Sequence, residues 1–181
     1  MGLPQFRYHP DPVRSGSIVE SEKKCKSCGQ SRGYIYTGPA YCEEDFDDDI
    51  CPWCIADGSA HKKFDAEFVD LNGFRDGVPQ SAIEEISQRT PGYSAWQTEE
   101  WPACCNDATA FLMPMNIQDI RKELYEVEGA LMGYIVHDLQ ISGGAARNLI
   151  ESLSKDQYGK PSLYLFQCLH CQAYRFHVDQ V

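Results

Sequence analysis

Apolar and polar positions follow a helical period over several stretches of the chain. The clearest period places apolar side chains on one helix face at Ile117, Ile120, Leu124, Val127 and Leu131. Asn116 precedes this face, and with Asp119 three residues further on it has the spacing of a helix N-terminal cap. The pattern also predicts helices over residues 55–64, 81–90 and 145–153, the second starting with a capping box at Ser81 and Glu84.

The residue types of other stretches favour strands. Residues 33–41 combine aromatic and β-branched positions with a Gly38-Pro39 turn, which predicts a hairpin. Residues 108–113 predict a strand, and residues 163–168 and 174–178 predict two antiparallel strands at the end of the chain. The expected fold class is therefore α+β, with helices and small antiparallel sheets in one chain.

The order of these elements predicts two regions. Residues 1–78 comprise a proline-punctuated N-terminal arm and a cysteine-rich module, and residues 79–181 form an α+β region with a second cysteine cluster. We expect the two to pack as one compact unit. No stretch approaches the roughly 20 apolar residues of a membrane span, and the first residues lack the apolar core of a signal peptide. A cytoplasmic location is expected.

The cysteines of the first region form two Cys-x-x-Cys pairs that suit a structural zinc site. Each pair turns the backbone so that both sulfur atoms face one point, and four thiolates complete a tetrahedral site. The predicted ligands are Cys25, Cys28, Cys51 and Cys54. The order of the two pairs around a hairpin, with a helix after the second, predicts a treble-clef or zinc-ribbon-like module packed on the second region. A redox dithiol or four unrelated buried thiols are the alternatives.

A third Cys-x-x-Cys pair, Cys168 and Cys171, predicts a second zinc site whose other ligands are Cys104 and Cys105. Adjacent residues of an extended chain point in opposite directions, so this pairing requires a local kink. His170 and His177 are the alternative ligands. The remaining alternative is a pair of buried free cysteines at a hairpin turn. One zinc ion is expected, and two are possible.

Charge adds a prediction about partners. The net charge is −11, and each filled four-cysteine zinc site lowers it by two more. Such a protein repels nucleic-acid phosphates and anionic membranes and favours a basic protein partner. The candidate contact surface is the acidic run of Glu43, Glu44, Asp45, Asp47, Asp48 and Asp49. The alternative is that acidity only keeps the protein soluble.

Motifs of catalysis are scarce, and we expect no enzymatic activity. The chain has neither a His-Glu-x-x-His zinc-protease helix nor a phosphate-binding Gly-rich loop. A site with four cysteine ligands also has no open position for water or substrate. The alternative is a zinc-dependent hydrolase or thiol-redox protein that uses the cluster of Cys104, Cys105, Cys168 and Cys171.

Several motifs together resemble the CbrC family of bacteria, which takes its name from a colicin-tolerance protein. They are residues 4–12, Tyr-Thr-Gly-Pro at 36–39, Cys-Pro-Trp-Cys-Ile-Ala-Asp-Gly at 51–58, residues 89–93 and residues 168–171. The resemblance implies a bacterial cytoplasmic protein and tolerance or immunity to a bacteriocin. With the acidic run, it suggests that the protein sequesters a basic toxin domain, for example a nuclease. The resemblance implies no catalytic residues.

Overall fold

A computed structural model describes residues 2–123, 125–153 and 161–179 of the chain. Helices and short antiparallel strands are mixed along it, as the α+β prediction states. The N-terminal elements are β1 Ile18–Glu20, β2 Tyr34–Tyr36, α1 Pro52–Ala56, α2 Ser59–Phe64, a 3₁₀ turn Leu71–Gly73 and α3 Gln80–Arg89. The C-terminal elements are β3 Ala103–Cys104, β4 Asp107–Ala108, β5 Ala110–Met115, α4 Ile117–Glu123, α5 Tyr125–His137, α6 Gly143–Ser152, β6 Ser162–Gln167 and β7 Tyr174–Asp179.

The predicted hairpin within residues 33–41 is wrong. Strand β2 pairs with β1, which lies before the first cysteine pair, and Tyr36 also bridges to Ile50. The Gly38-Pro39 turn is present, but the ring of Tyr36 lies over Gly38 and its hydroxyl donates to the Pro39 carbonyl at 2.6 Å. The chain is therefore turned away from β2 and does not fold back along it.

The helix expected over residues 55–64 is divided in two. Helix α1 begins at Pro52, directly after Cys51, because proline has a suitable φ and lacks an N–H that would otherwise need a partner. Gly58 separates α1 from α2 with a left-handed φ of 74°.

The other predicted helices are present with small corrections. Helix α3 matches the expected span, but Pro79 occupies its N-cap and there is no side-chain cap, so the Ser81–Glu84 capping box is wrong. The Asn116 cap is confirmed: its side chain accepts from the backbone N–H of Asp119 at 2.9 Å, and Asp119 accepts from the N–H of Asn116 at 3.0 Å. Leu124, predicted on the buried face, lies outside the described residues.

The largest sheet has three antiparallel strands in the order β5–β6–β7, so the predicted C-terminal hairpin and the strand near residues 108–113 are confirmed. Central strand β6 is buried on both faces because its side chains alternate between two cores. Leu163 and Leu165 pack against the apolar faces of α4, α5 and α6, and Tyr164 and Phe166 pack into an aromatic core on the other side.

The aromatic core also receives a side chain from the N-terminal arm. Tyr8 is 1% exposed there and packs with Tyr93, Trp101 and Phe111. A third core joins β1, β2, α1 and Phe68 around the first cysteine pairs. No helix in the described ranges combines the length and apolarity needed to cross a membrane.

Candidate metal centres

The first two cysteine pairs converge on one point, which we call cluster 1: Cys25, Cys28, Cys51 and Cys54. All four sulfur atoms lie within 4.8 Å of one another. The Cys25 and Cys54 Sγ atoms are 3.8 Å apart, and those of Cys28 and Cys51 are 3.9 Å apart. A tetrahedral zinc ion with Zn–S bonds of about 2.3 Å requires sulfur atoms about 3.8 Å apart. The spacing therefore fits a tetrathiolate site and argues against four unrelated thiols.

Local backbone structure places the sulfur atoms of cluster 1. After Cys25 the chain turns back at Gly29, whose N–H donates to the Cys25 carbonyl at 2.7 Å and whose φ is 72°. The backbone N–H of Cys51 donates to the Cys25 sulfur at 3.3 Å. Cys54 lies on α1, so the second pair is held by a helix. A hydrogen bond from Cys51, assisted by backbone N–H groups and opposed by burial, lowers the pKa of the Cys25 thiol to about 4. The same hydrogen bond, together with burial, raises the pKa of the Cys51 thiol, so the surroundings favour a thiolate, the form that binds metal, at Cys25 and not at Cys51.

The remaining predicted ligands also come together, as cluster 2: Cys104, Cys105, Cys168 and Cys171. The Cys104 sulfur lies 3.7 Å from that of Cys171 and 3.9 Å from that of Cys105. The kink that adjacent ligands require is present, because Cys105 and Asn106 have left-handed φ values of 55° and 57°. This turn connects β3 to β4 and directs both sulfur atoms to the same side.

The alternative histidine ligands have other partners. The Nε2 atom of His170 lies 2.9 Å from Asp107 Oδ2, and that of His177 lies 2.8 Å from Asp179 Oδ1. Neither histidine belongs to the group of sulfur atoms.

Cluster 2 is more exposed to solvent than cluster 1. Cys168 is buried, whereas Cys105 and Cys171 are exposed. Backbone N–H groups of His170 and Cys171 point at the Cys168 sulfur at 3.4 and 3.5 Å. Burial opposes ionisation of Cys168, but these N–H donors outweigh it and lower its pKa to about 6.

An arginine that the sequence analysis missed supports cluster 2. Arg175, on β7, donates from Nη2 to the Cys104 sulfur at 3.1 Å and from Nη1 to the Tyr174 carbonyl at 2.9 Å. A guanidinium at this distance offsets part of the negative charge of a thiolate. Strand pairing places Arg175 there, and no signal in the sequence near Cys104 reveals it.

Asp107 is the second feature that the sequence analysis missed. It accepts from Arg7 Nη2 at 2.6 Å and from the Tyr8 hydroxyl at 2.8 Å, in addition to its contact with His170. Burial opposes ionisation of Asp107, but these three partners and the backbone N–H of Ala108 hold the pKa of its carboxyl below the usual value. The N-terminal arm is thereby attached beside cluster 2.

The acidic run folds back on the first cysteine pair. Lys26 Nζ lies 3.0 Å from Glu44 Oε2 and donates to the Asp45 carbonyl at 2.8 Å. Lys23 donates to the Asp47 carbonyl at 2.6 Å. Part of the predicted contact surface is therefore neutralised within the protein and serves to hold the loop.

Comparisons with known proteins identify the family. A family model described as "Uncharacterised protein family (UPF0167)" matches residues 3–180. UPF0167 proteins of Mycobacterium bovis and Mycobacterium tuberculosis are each 44% identical over 182 residues, covering 98% of this chain and 93% of the relative. A UPF0167 protein of Pseudomonas aeruginosa is 38% identical over 179 residues, covering 98% of this chain and 97% of the relative. No solved structure matches the chain.

These findings correct the resemblance to the CbrC family. The family model and the relatives at 38–44% identity carry a different family name, and they support a bacterial origin without a link to colicin tolerance. Because the family model covers nearly the whole chain, the protein belongs to the UPF0167 family.

Proposed function

We propose that this protein is a non-catalytic binding protein that two structural zinc ions stabilise and whose acidic surface binds a basic protein partner. The zinc part of this proposal depends on the distances between the sulfur atoms. Distances of 3.7–3.9 Å occur in both clusters, and this is the spacing of a tetrahedral tetrathiolate site.

The donor set supports a structural role for the metal. Four thiolates fill the tetrahedral shell of zinc and leave no position for a substrate. In cluster 1 the second cysteine pair begins a helix, as it does in a treble-clef module, although the first pair here follows strand β1 and precedes β2. Bound zinc supplies cross-links between elements distant in sequence. In a reducing compartment such as the cytoplasm, these thiols would stay available for metal.

The proposed partner class is argued from charge. Two filled sites change the net charge from −11 to −15, since each zinc with four thiolates contributes −2. Such a field accelerates encounter with cationic proteins and opposes nucleic-acid binding. A toxin domain was expected only because of the CbrC resemblance, so the partner class supported by charge is a basic protein in general.

Metal counting combined with cobalt spectroscopy tests the proposed zinc binding. We expect two zinc ions per chain by mass spectrometry of digested protein, and the absorption of tetrahedral tetrathiolate cobalt at both sites after exchange. Cys42 lies outside both clusters, so Cys42→Ser is the matched control and keeps two ions. A metal-free protein that is fully folded contradicts the proposal.

The exposure of Cys105 and Cys171 favours one alternative function, a zinc hydrolase or thiol-redox protein that uses cluster 2. Solvent reaches these two sulfur atoms, as an open zinc site or a reactive thiol requires. A cobalt spectrum with mixed oxygen, nitrogen and sulfur ligands at cluster 2 supports this alternative. A tetrathiolate spectrum at both sites contradicts the hydrolase.

A further inference from the structure

A cleft of about 710 Å³ lies beside cluster 2. Helix α5 forms one side, strand β7 forms the other, and the chain around residues 75–76 and 102–103 closes the end. Gln172 and Ala173, which directly follow Cys171, also line it. The side chains that define its chemistry are Arg75, Asp76, Tyr134, Asp138, Tyr174 and Arg175.

The two arginines of the cleft are engaged by groups of the protein itself. Arg75 forms an ion pair with Glu100, to which its Nε donates at 2.7 Å. Arg175 is held between the Tyr174 carbonyl and the Cys104 sulfur. When Cys104 is a metal-bound thiolate, this guanidinium faces a permanent negative charge.

The two carboxylates of the cleft are in the opposite situation. Both Asp76 and Asp138 are exposed, and among the described residues neither carboxylate has an ion-pair partner. Asp138 directly follows the last residue of α5, where the helix dipole adds a partial negative charge. The uncompensated charge in the cleft is therefore negative.

Aromatic rings line the same cleft as these carboxylates. Tyr134 and Tyr174 line the cleft, and Phe176 forms part of its floor with its ring centroid 5.7 Å from that of Tyr134. A planar guanidinium stacks on such rings while it donates to carboxylates, and an ammonium ion lacks this flat geometry.

We propose that this cleft binds an arginine side chain of the basic partner. This inference rests on the proposed function and gives its partner an anchor site. The cleft has the volume for an arginine together with its flanking residues. The acidic run is less suited as the anchor, because Lys23 and Lys26 already contact it.

Binding of a small arginine compound to the zinc-loaded full-length protein tests this inference. The probe is N-acetyl-arginine amide, and the matched neutral probe is N-acetyl-citrulline amide, which has the same length and shape without the charge. We expect saturable amide chemical-shift changes at residues lining the cleft, with a dissociation constant in the millimolar range, roughly −4 kcal/mol. The citrulline compound should bind at least fivefold more weakly.

Variants in which the two carboxylates are replaced by neutral amides test whether the cleft is the binding site. Asp76→Asn with Asp138→Asn should weaken the arginine probe at least fivefold, whereas Glu20→Gln with Glu151→Gln, which removes the same charge elsewhere, should leave it unchanged. Equal binding of both probes, or no saturable binding, overturns the inference. Shifts produced at the cleft by inorganic phosphate but not by arginine also overturn it, because they show an anion site.

Two further measurements separate this inference from the proposed function. If Asp45→Asn with Asp48→Asn abolishes arginine binding and the cleft variants do not, the acidic surface binds a basic ligand but the cleft is not the anchor. Metal content is determined on the same samples, so the absence of bound zinc would be detected independently of probe binding.

Discussion

At the scale of single residues, the two clusters differ in how far water reaches their sulfur atoms. In cluster 1, Cys25, Cys51 and Cys54 are at most 2% exposed, and Cys28 is the one exposed ligand. In cluster 2, Cys105 and Cys171 are exposed, and both lie next to left-handed turn residues. Chelators and oxidants attack a metal-bound thiolate only where solvent reaches its sulfur atom. Although both clusters have four cysteine ligands, we therefore expect metal to leave cluster 2 faster than cluster 1.

The first prediction concerns metal release. When zinc-loaded protein is mixed with the colour-forming chelator 4-(2-pyridylazo)resorcinol, we expect one zinc ion to leave roughly tenfold faster than the other, because two cluster 2 ligands are open to solvent and only one cluster 1 ligand, Cys28, is. Absorbance against time measures both phases. Cys171→Ser should remove the fast phase, while Cys42→Ser should keep both. A single phase releasing two ions contradicts the prediction.

A second prediction follows from the buried pair of His177 and Asp179. Burial opposes the charge on His177, but Asp179 and Glu100 outweigh it and raise the His177 pKa above its ordinary value. The stabilisation is therefore complete below about pH 6.5, the usual histidine pKa, and is lost as pH rises through the raised pKa. Hydrogen bonds with the His177 side chain and the two neighbouring N–H groups of Trp96 and Gln97 keep the Asp179 pKa low.

His177→Gln should lower the free energy of unfolding by about 2 kcal/mol at pH 6, since a charge-assisted hydrogen bond is removed. Urea denaturation from pH 6 to pH 9 measures the difference between the variant and the wild type, which should shrink as pH rises. A difference that stays constant or grows over this range shows that the histidine is neutral when folded.

At the scale of elements, the segment that connects α3 to β3 is fixed by close backbone contacts. A Cβ atom added at Gly92 would meet the Phe68 carbonyl oxygen at 2.0 Å, and one added at Gly73 would meet the Glu99 carbonyl oxygen at 2.0 Å. The Gly92 N–H also donates to the Tyr36 hydroxyl at 3.1 Å. Glycine is needed here because two stretches of backbone touch.

Gly92→Ala should therefore destabilise the protein by about 3 kcal/mol, as expected for overpacking that forces the backbone to shift. Gly129→Ala is the matched control, because Gly129 lies in α5 and an added Cβ has nothing within 4 Å. Alanine favours helix over glycine, so this variant should gain up to about 1 kcal/mol. Thermal unfolding measures the stability of both variants. Similar stabilities for the two variants contradict the close contact between Gly92 and the Phe68 carbonyl.

Sequence patterns predicted the elements whose signals are local. The face of Ile120, Val127 and Leu131 and the Asn116 cap follow from helix geometry, and cluster 1 follows from Cys-x-x-Cys turns. Pairing between distant segments was not predictable. The aromatic and β-branched residues of β2 do not identify its partner, and β1 lies on the other side of the first cysteine pair, where both strands pack in the core around cluster 1. Arg175 reaches Cys104 for the same reason, through strand register.

At the scale of the whole molecule, the N-terminal arm connects the two predicted regions. Tyr8 belongs to the aromatic core of the second region, and its backbone carbonyl accepts from the Phe111 N–H at 2.8 Å. His9 contacts the Pro91 carbonyl at 2.7 Å. The boundary at residue 78 between the two regions stays a prediction from the sequence. Because these contacts join the arm to the second region, we expect the protein to unfold cooperatively as one unit.

We expect a single unfolding transition in urea, with near-ultraviolet circular dichroism and tryptophan fluorescence changing together. Tyr8→Phe should lower the free energy of unfolding by about 1 kcal/mol, because it removes a buried hydrogen bond to Asp107 while keeping the ring. The midpoint of the transition should therefore move to a lower urea concentration. Gln5→Ala, at an exposed position of the same arm, is the control. Two separated transitions, with only one affected by Tyr8→Phe, contradict a single unit.

The wall of the cleft formed by Gln172 and Ala173 continues directly from Cys171, and Arg175 in that wall contacts Cys104. If cluster 2 holds zinc and the cleft binds the partner as proposed, a bacterium starved of zinc would make copies whose binding surface is reshaped. Nutrient supply would then determine how many copies are competent to bind.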